Sequence, residues 1–140
     1  MQIAIETTVD APLEQVWSAW VTPADITLWN FASDDWCCPE AKIDLVVGGK
    51  FNYRMEAKDG SFGFDFEGKL TSIDPCNAIE YTLDDDRKVR ITFMQSETGV
   101  RVVETFEAED EHSAEQQRQG WQRILENFKK HMEQRQLTKR

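Results

Sequence analysis

The spacing of apolar positions changes twice along the chain, and each change marks a new kind of element. Residues 2–9 alternate, with Ile3, Ile5, Thr7 and Val9 set against Ala4, Glu6 and Thr8, which predicts a half-buried strand. Asp10-Ala11-Pro12 then offers a helix N-cap and a first-turn proline. Leu13, Val16, Trp17, Trp20 and Val21 recur at helical spacing, so a first helix is expected to about residue 21. Thr22-Pro23 ends it and starts a second, shorter helix carrying Ile26, Leu28 and Trp29. Residues 30–41 show no period and read as a loop holding Phe31 and Trp36 beside Asp34-Asp35.

From residue 42 the period becomes two. Ile43, Leu45 and Val47 alternate up to Gly48-Gly49, then Phe51, Tyr53 and Met55 share a face, and Asp59-Gly60 signals a hairpin. Phe62, Phe64 and Phe66 share the next face, in a strand running on to Ile73 before the Asp74-Pro75 turn. Ile79, Tyr81 and Leu83 alternate before the acidic turn Asp84-Asp85-Asp86; Val89, Ile91 and Phe93 follow. Thr98-Gly99 leads into Val100, Val102, Glu104 and Phe106. Short alternating strands with regular turns predict an antiparallel meander. The chain closes on a long helix: Ser113 and Gln116 fit a capping box, and Trp121, Ile124, Leu125, Phe128 and Met132 form one apolar stripe. The expected architecture is α+β: one strand, two short helices, about six strands, and a last helix laid across one face of a curved sheet.

Composition narrows the function. At 140 residues the chain fits one domain, expected to span 1–140. It carries 26 acidic and 16 basic side chains, a net charge of −10, which disfavours nucleic acid and anionic membranes as partners. Much of the excess falls in the Asp84–Asp86 turn and in residues 104–115, which hold six acids and no lysine or arginine. Residues 123–140 hold six bases, Lys139 and Arg140 among them, against two acids, so the last helix complements its own dipole. No signal peptide and no apolar run long enough to cross a membrane is visible. Cys37, Cys38 and Cys76 do not form a disulfide framework and predict free thiols in a cytoplasmic protein.

No nucleophile triad, phosphate-cradling glycine loop or metal box appears in the spacing, so no catalytic residue, cofactor or metal is assigned. His112 and His131 read as solvated. Cys37-Cys38 has only acids close in sequence, a setting that does not favour a thiolate. Glu104 shares a strand face with Val102 and Phe106, which leaves two readings: a solvated side chain, or a carboxyl inside the fold with a raised pKa. Gly120 inside a helix costs about 1 kcal/mol relative to alanine. Its presence asks either for close approach of a strand or for open room beside it.

Four stretches resemble a known family: Thr22-Pro23 with Trp29, Val47-Gly48-Gly49-Lys50-Phe51, Gly68 through Ile73-Asp74-Pro75, and Gln117-Arg118-Gln119-Gly120-Trp121 with Ile124-Leu125 and Phe128. With Thr8 to Pro12, Val16-Trp17 and Trp20, they are similar to the START-like (SRPBCC) superfamily. The matching branch is named for the activator of the 90-kDa heat-shock protein ATPase. That resemblance implies a helix-grip fold with a cavity between sheet and C-terminal helix, where superfamily members hold hydrophobic or amphipathic small molecules. Eukaryotic activators add an N-terminal chaperone-contacting domain, which this chain is expected to lack. The expected cavity residues are Trp29, Phe31, Trp36, Tyr53, Phe64, Phe66, Tyr81, Phe93, Glu104, Gly120, Trp121, Leu125 and Phe128. The leading expectation is a module binding a hydrophobic or amphipathic small molecule, as a monomer or weak homodimer. A co-chaperone-like interaction module acting on the 90-kDa heat-shock chaperone, and a cyclase- or hydrolase-like enzyme using Glu104 or Tyr53 on a hydrophobic substrate, are the alternatives.

Overall fold

Ten elements account for most of residues 1–138, which the computed structural model describes. They are β1 (Gln2–Val9), α1 (Leu13–Val21), α2 (Pro23–Trp29), β2 (Trp36–Ile43), β3 (Lys50–Ala57), β4 (Gly63–Asp74), β5 (Ala78–Leu83), β6 (Lys88–Ser96), β7 (Gly99–Glu107) and α3 (Ala114–Thr138). Lys139 and Arg140, the end of the basic run, lie outside the described residues. The seven strands form one curled antiparallel sheet in the order β1-β7-β6-β5-β4-β3-β2, so β1 closes onto the last strand and the rest is a meander. α3 lies in the hollow of the sheet, which makes this an α+β helix-grip fold.

Alternation puts one face of every strand inside. Two rows of paired positions cross the concave face. Ile79, Ile91, Glu104 and Ile5 make one; Leu70, Tyr81, Val89, Phe106 and Ile3 make the next. All nine residues are buried. Leu125, Phe128 and Met132 of α3, three positions of the expected stripe, are fully buried against this face. α3 is tied to β1 by Lys129 Nζ donating to the Thr8 carbonyl at 2.6 Å and Gln122 Nε2 to the Glu6 carbonyl at 3.2 Å. Its start is capped as expected: the Gln116 N–H donates to Ser113 Oγ and the Ser113 N–H to Gln116 Oε1.

Four expectations need correction. The segment expected to be a loop to residue 41 contains β2 from Trp36, and the expected strand through Leu45 and Val47 is instead a turn that exposes Leu45, Val46 and Val47. β2 is an edge strand with a register shift between Cys37 and Glu40 and a proline at position 39, so its two faces never alternate cleanly. Asp10 does not cap α1. Pro12 occupies that position with no side-chain cap, and the Asp10 N–H donates to the Glu133 carboxylate at 3.0 Å. His131 is not solvated: it is largely buried between α3 and α2, with Nε2 3.3 Å from Asp25 Oδ1, which also accepts from Arg135 at 2.9 Å.

Candidate functional site

The hollow of the sheet is filled unevenly along α3. Toward the helix C-terminus, α1 and α2 close it with an aromatic cluster. Trp20, Trp29 and Phe128 have ring centroids 4.8–4.9 Å apart, and Phe93 packs against Trp17 and Trp20 at 5.5 and 5.9 Å. The Trp29 indole N–H is satisfied by the Ala19 carbonyl at 3.0 Å, and Asn127 Nδ2 donates to the Trp29 carbonyl at 2.8 Å. Toward the helix N-terminus no helix fills the space, and a cavity of about 330 Å³ remains.

Trp20, Trp29 and Asn30 line the cavity from the α1–α2 side, Tyr53 and Met55 from β3, Phe64 and Phe66 from β4, Tyr81 from β5 and Glu104 from β7. Gln116, Gln117, Gly120, Trp121 and Ile124 line it from α3, and Arg87, Glu109 and His112 complete it from the adjoining loops. A β-carbon placed on Gly120 would meet no atom within 4 Å beyond its own stretch of helix, so the glycine faces open room and not a close-packed strand. Trp121 spans the top, stacked on Phe106 at 3.9 Å and edge-on to Phe66 at 5.8 Å.

Glu104 is the deep polar group. It is 6% exposed and has no hydrogen bond or ion pair among the described residues. No fully enclosed side-chain oxygen or nitrogen among the described residues lacks a partner, so the Glu104 carboxyl oxygens must be reached from the cavity. Burial pushes this carboxyl up to about 8. The Tyr81 hydroxyl is raised as well, first by burial and then by the Glu104 charge, and Tyr53 is raised by burial and then by Cys38. The side chain of Asn30, a residue 7% exposed, likewise has no hydrogen-bond partner among the described residues.

The rim is polar and internally engaged. Arg87 donates to Asp85 at 2.8 Å and to the Glu107 carbonyl at 3.4 Å. His112 Nδ1 lies 2.7 Å from Glu109 Oε1, and the hydrogen bond from His112 is the main reason the Glu109 carboxyl sits below its ordinary value. Gln117, buried, holds this loop by accepting from the Glu109 N–H at 2.8 Å and donating to the His112 carbonyl at 2.8 Å. Glu109, Glu111 and His112 bring ligand-type atoms within 4.8 Å of one another, the one such metal-competent group among the described residues, on the exposed side of the rim.

Of the expected residues, Trp29, Tyr53, Phe64, Phe66, Tyr81, Glu104, Gly120 and Trp121 line one cavity. The other five lie elsewhere. Phe93, Leu125 and Phe128 are consumed by packing in the closed half of the hollow. Trp36 backs the Phe64 wall from outside, ring centroids 5.9 Å apart. Phe31 faces a separate surface depression of about 540 Å³ lined by Arg123, Glu126, Lys129, Lys130 and Glu133, where Lys129 and Glu133 are already paired at 2.8 Å. Sequence reasoning missed Trp20, Asn30, Met55, Gln117 and Ile124, and the rim residues Arg87, Glu109, His112 and Gln116. Gln117 and Ile124 share the helical face of Trp121 by spacing, and Met55 shares the strand face of Tyr53; Asn30, in an aperiodic segment, carries no signal. Cys38 is buried, its thiol pushed up to about 11 by burial and then by Cys37, which fits a structural thiol.

Solved structures place this architecture among relatives. The chain is similar to the solution structure of an AHSA1-like protein from Aeromonas hydrophila, with 44% identity, a TM-score of 0.92, and coverage of 98% of this chain and 95% of that one. It is also similar to a Cytophaga hutchinsonii protein, with 43% identity, a TM-score of 0.82, and coverage of 96% and 93%. A Nitrosomonas europaea protein at 15% identity shares the fold, with a TM-score of 0.80 and coverage of 98% and 97%. No curated protein matches the chain. The profile of one family, described as Activator of Hsp90 ATPase homolog 1-like protein, matches residues 10–133, and the chain belongs to that family.

Proposed function

We propose that the chain is a small-molecule-binding module whose ligand occupies the cavity between the first turns of α3 and the sheet. The observation that carries this reading is Glu104, a buried carboxyl with no hydrogen bond or ion pair among the described residues, facing a space walled by aromatic rings. Cavities of this size with apolar walls and few polar groups are the usual form of small-ligand sites. A volume of about 330 Å³ equals that of about eleven waters, so a ligand of roughly a dozen non-hydrogen atoms fits. Three free thiols support a reducing, cytoplasmic setting.

The test is thermal denaturation with indole and 2-naphthol as neutral aromatic probes. A ligand that binds only the native state raises the melting temperature with its concentration. A rise that saturates, and that disappears in Gly120→Leu, supports the reading. No rise with either probe up to its solubility limit argues against it.

The enzyme reading ranks behind this one. A carboxyl titrating near neutrality suits proton transfer, but among the described residues no serine, threonine, cysteine or lysine lines the cavity beside it. The co-chaperone reading rests on the family description and on the exposed Leu45-Val46-Val47 turn. It is tested by whether the chain changes the ATPase rate of a 90-kDa heat-shock chaperone.

A further inference from the structure

The geometry points to a hydrophobic amine, bound as its ammonium ion, as the ligand class of this cavity, with the Glu104 carboxylate as its counter-ion. The inference rests on the cavity being the binding site and adds what the site selects.

Glu104 sits in a row of isoleucines, with Ile5 on β1 and Ile91 on β6 as its direct neighbours across the sheet, and neither can neutralise it. A buried carboxylate without a partner is costly, and one that keeps its place needs a compensating cation or a proton. Three charged or titratable groups share the cavity from the rim, and none is turned to this task. Arg87 is engaged by Asp85 and the Glu107 carbonyl, and His112 by Glu109. The other titratable groups lining the cavity are the Tyr53 and Tyr81 hydroxyls, which remain neutral across the physiological range. A cation that takes the place of the proton on Glu104 therefore has to arrive with the ligand.

The walls suit a cation. Trp20, Trp29, Tyr53, Phe66, Tyr81 and Trp121 surround the space, and aromatic faces attract ammonium groups more strongly when water is excluded. The Asn30 side chain, without a hydrogen-bond partner among the described residues, adds an amide carbonyl to the lining that can accept a further ammonium N–H. The net charge of −10 draws cations toward the molecule and repels anions. An acidic ligand would meet both the Glu104 charge and that field.

The probes are 2-naphthylmethylamine and its neutral counterpart 2-naphthylmethanol, titrated by calorimetry into the wild-type chain and into Glu104→Gln. The wild type is expected to bind the amine about tenfold or more tightly than the alcohol at pH 7.5. At pH 6.5, where Glu104 holds a proton in the free protein, amine binding is expected to release close to one proton, read from the dependence of the heat on buffer ionisation. In Glu104→Gln the amine-to-alcohol affinity ratio is expected to fall to about one, and the proton release to vanish. Equal binding of both probes by the wild type overturns the amine assignment and leaves the cavity as a binding site. So does a preference that survives in Glu104→Gln. Failure of both probes to bind overturns the assignment together with the cavity reading.

Discussion

The indole of Trp121 lies flat on the ring of Phe106, centroids 3.9 Å apart and planes 7° from parallel. Phe106 is two residues beyond Glu104 on the same inward face of β7, so this stack fixes the height of α3 above the deep carboxyl. Trp121→Ala removes the stack and the edge contact to Phe66. The side chain is only partly buried, so the expected loss lies at the lower end of the about 3–5 kcal/mol typical of large aromatic truncations. Urea unfolding measures it. Trp121→Phe, which keeps a ring on Phe106, is expected to lose less than half as much.

Gly120 is expected to show stability and function moving in opposite directions. A methyl group placed on its α-carbon would have no neighbour within 4 Å, so Gly120→Ala gains helix propensity without a clash. It is expected to stabilise the chain by about 0.5–1 kcal/mol. Gly120→Leu keeps much of that gain but projects into the cavity, so it is expected to fold well and lose the response to indole. Destabilisation by Gly120→Ala would show that the position is tightly packed.

Glu104 predicts a specific pH dependence for the ligand-free chain. Its carboxyl titrates near 4.5 when unfolded and at about 8 when folded, so the folded state holds the extra proton between those values. Stability is then fully present below about pH 4.5 and declines as pH rises toward 8, by up to about 5 kcal/mol. Glu109, Glu115, Glu133 and Asp59 have lowered values and act in the opposite sense at acid pH. Comparison with Glu104→Gln cancels them. The variant is expected to match the wild type near pH 5 and to exceed it increasingly toward pH 8. Parallel stability curves for the two proteins would contradict the burial of this carboxyl.

Asn127 joins α3 to the end of α2 through its bond to the Trp29 carbonyl. Asn127→Ala removes that bond and leaves the Trp29 carbonyl with the Phe31 N–H, 2.8 Å away, so it is expected to cost about 1 kcal/mol. Trp29 and the adjoining Asn30 both line the cavity, so the variant is also expected to weaken probe binding, measured by the same thermal shift.

Much of the fold was legible in the residue pattern because burial is one-sided. Phe51 and Met55, Ile79 and Leu83, and Val100 to Phe106 alternate since one sheet face meets α3 and the other meets water. β2 escaped detection for the converse reason: at an edge, with a register shift and Pro39, it has no clean buried face to impose a period. The apolar run Ile43, Leu45, Val47 imitated a strand, yet its last two members are exposed in a turn. Within the site, alternation brought Glu104 inside with Val102 and Phe106. It could not tell whether an inward aromatic meets packing or open space. Phe93 and Tyr81 look alike along the chain, but α1 packs against Phe93 while Tyr81 borders the cavity. That difference depends on where two short helices end, which no local spacing records.

The central claim, that the space between α3 and the sheet receives a small molecule, is tested most directly by mapping 2-naphthol binding in amide NMR spectra. Saturable shifts are expected to centre on Glu104, Gly120 and Trp121, with the Leu45–Val47 turn and the Phe31 depression unmoved. Saturable shifts confined to those outer surfaces, or no saturable shift at all, would contradict it.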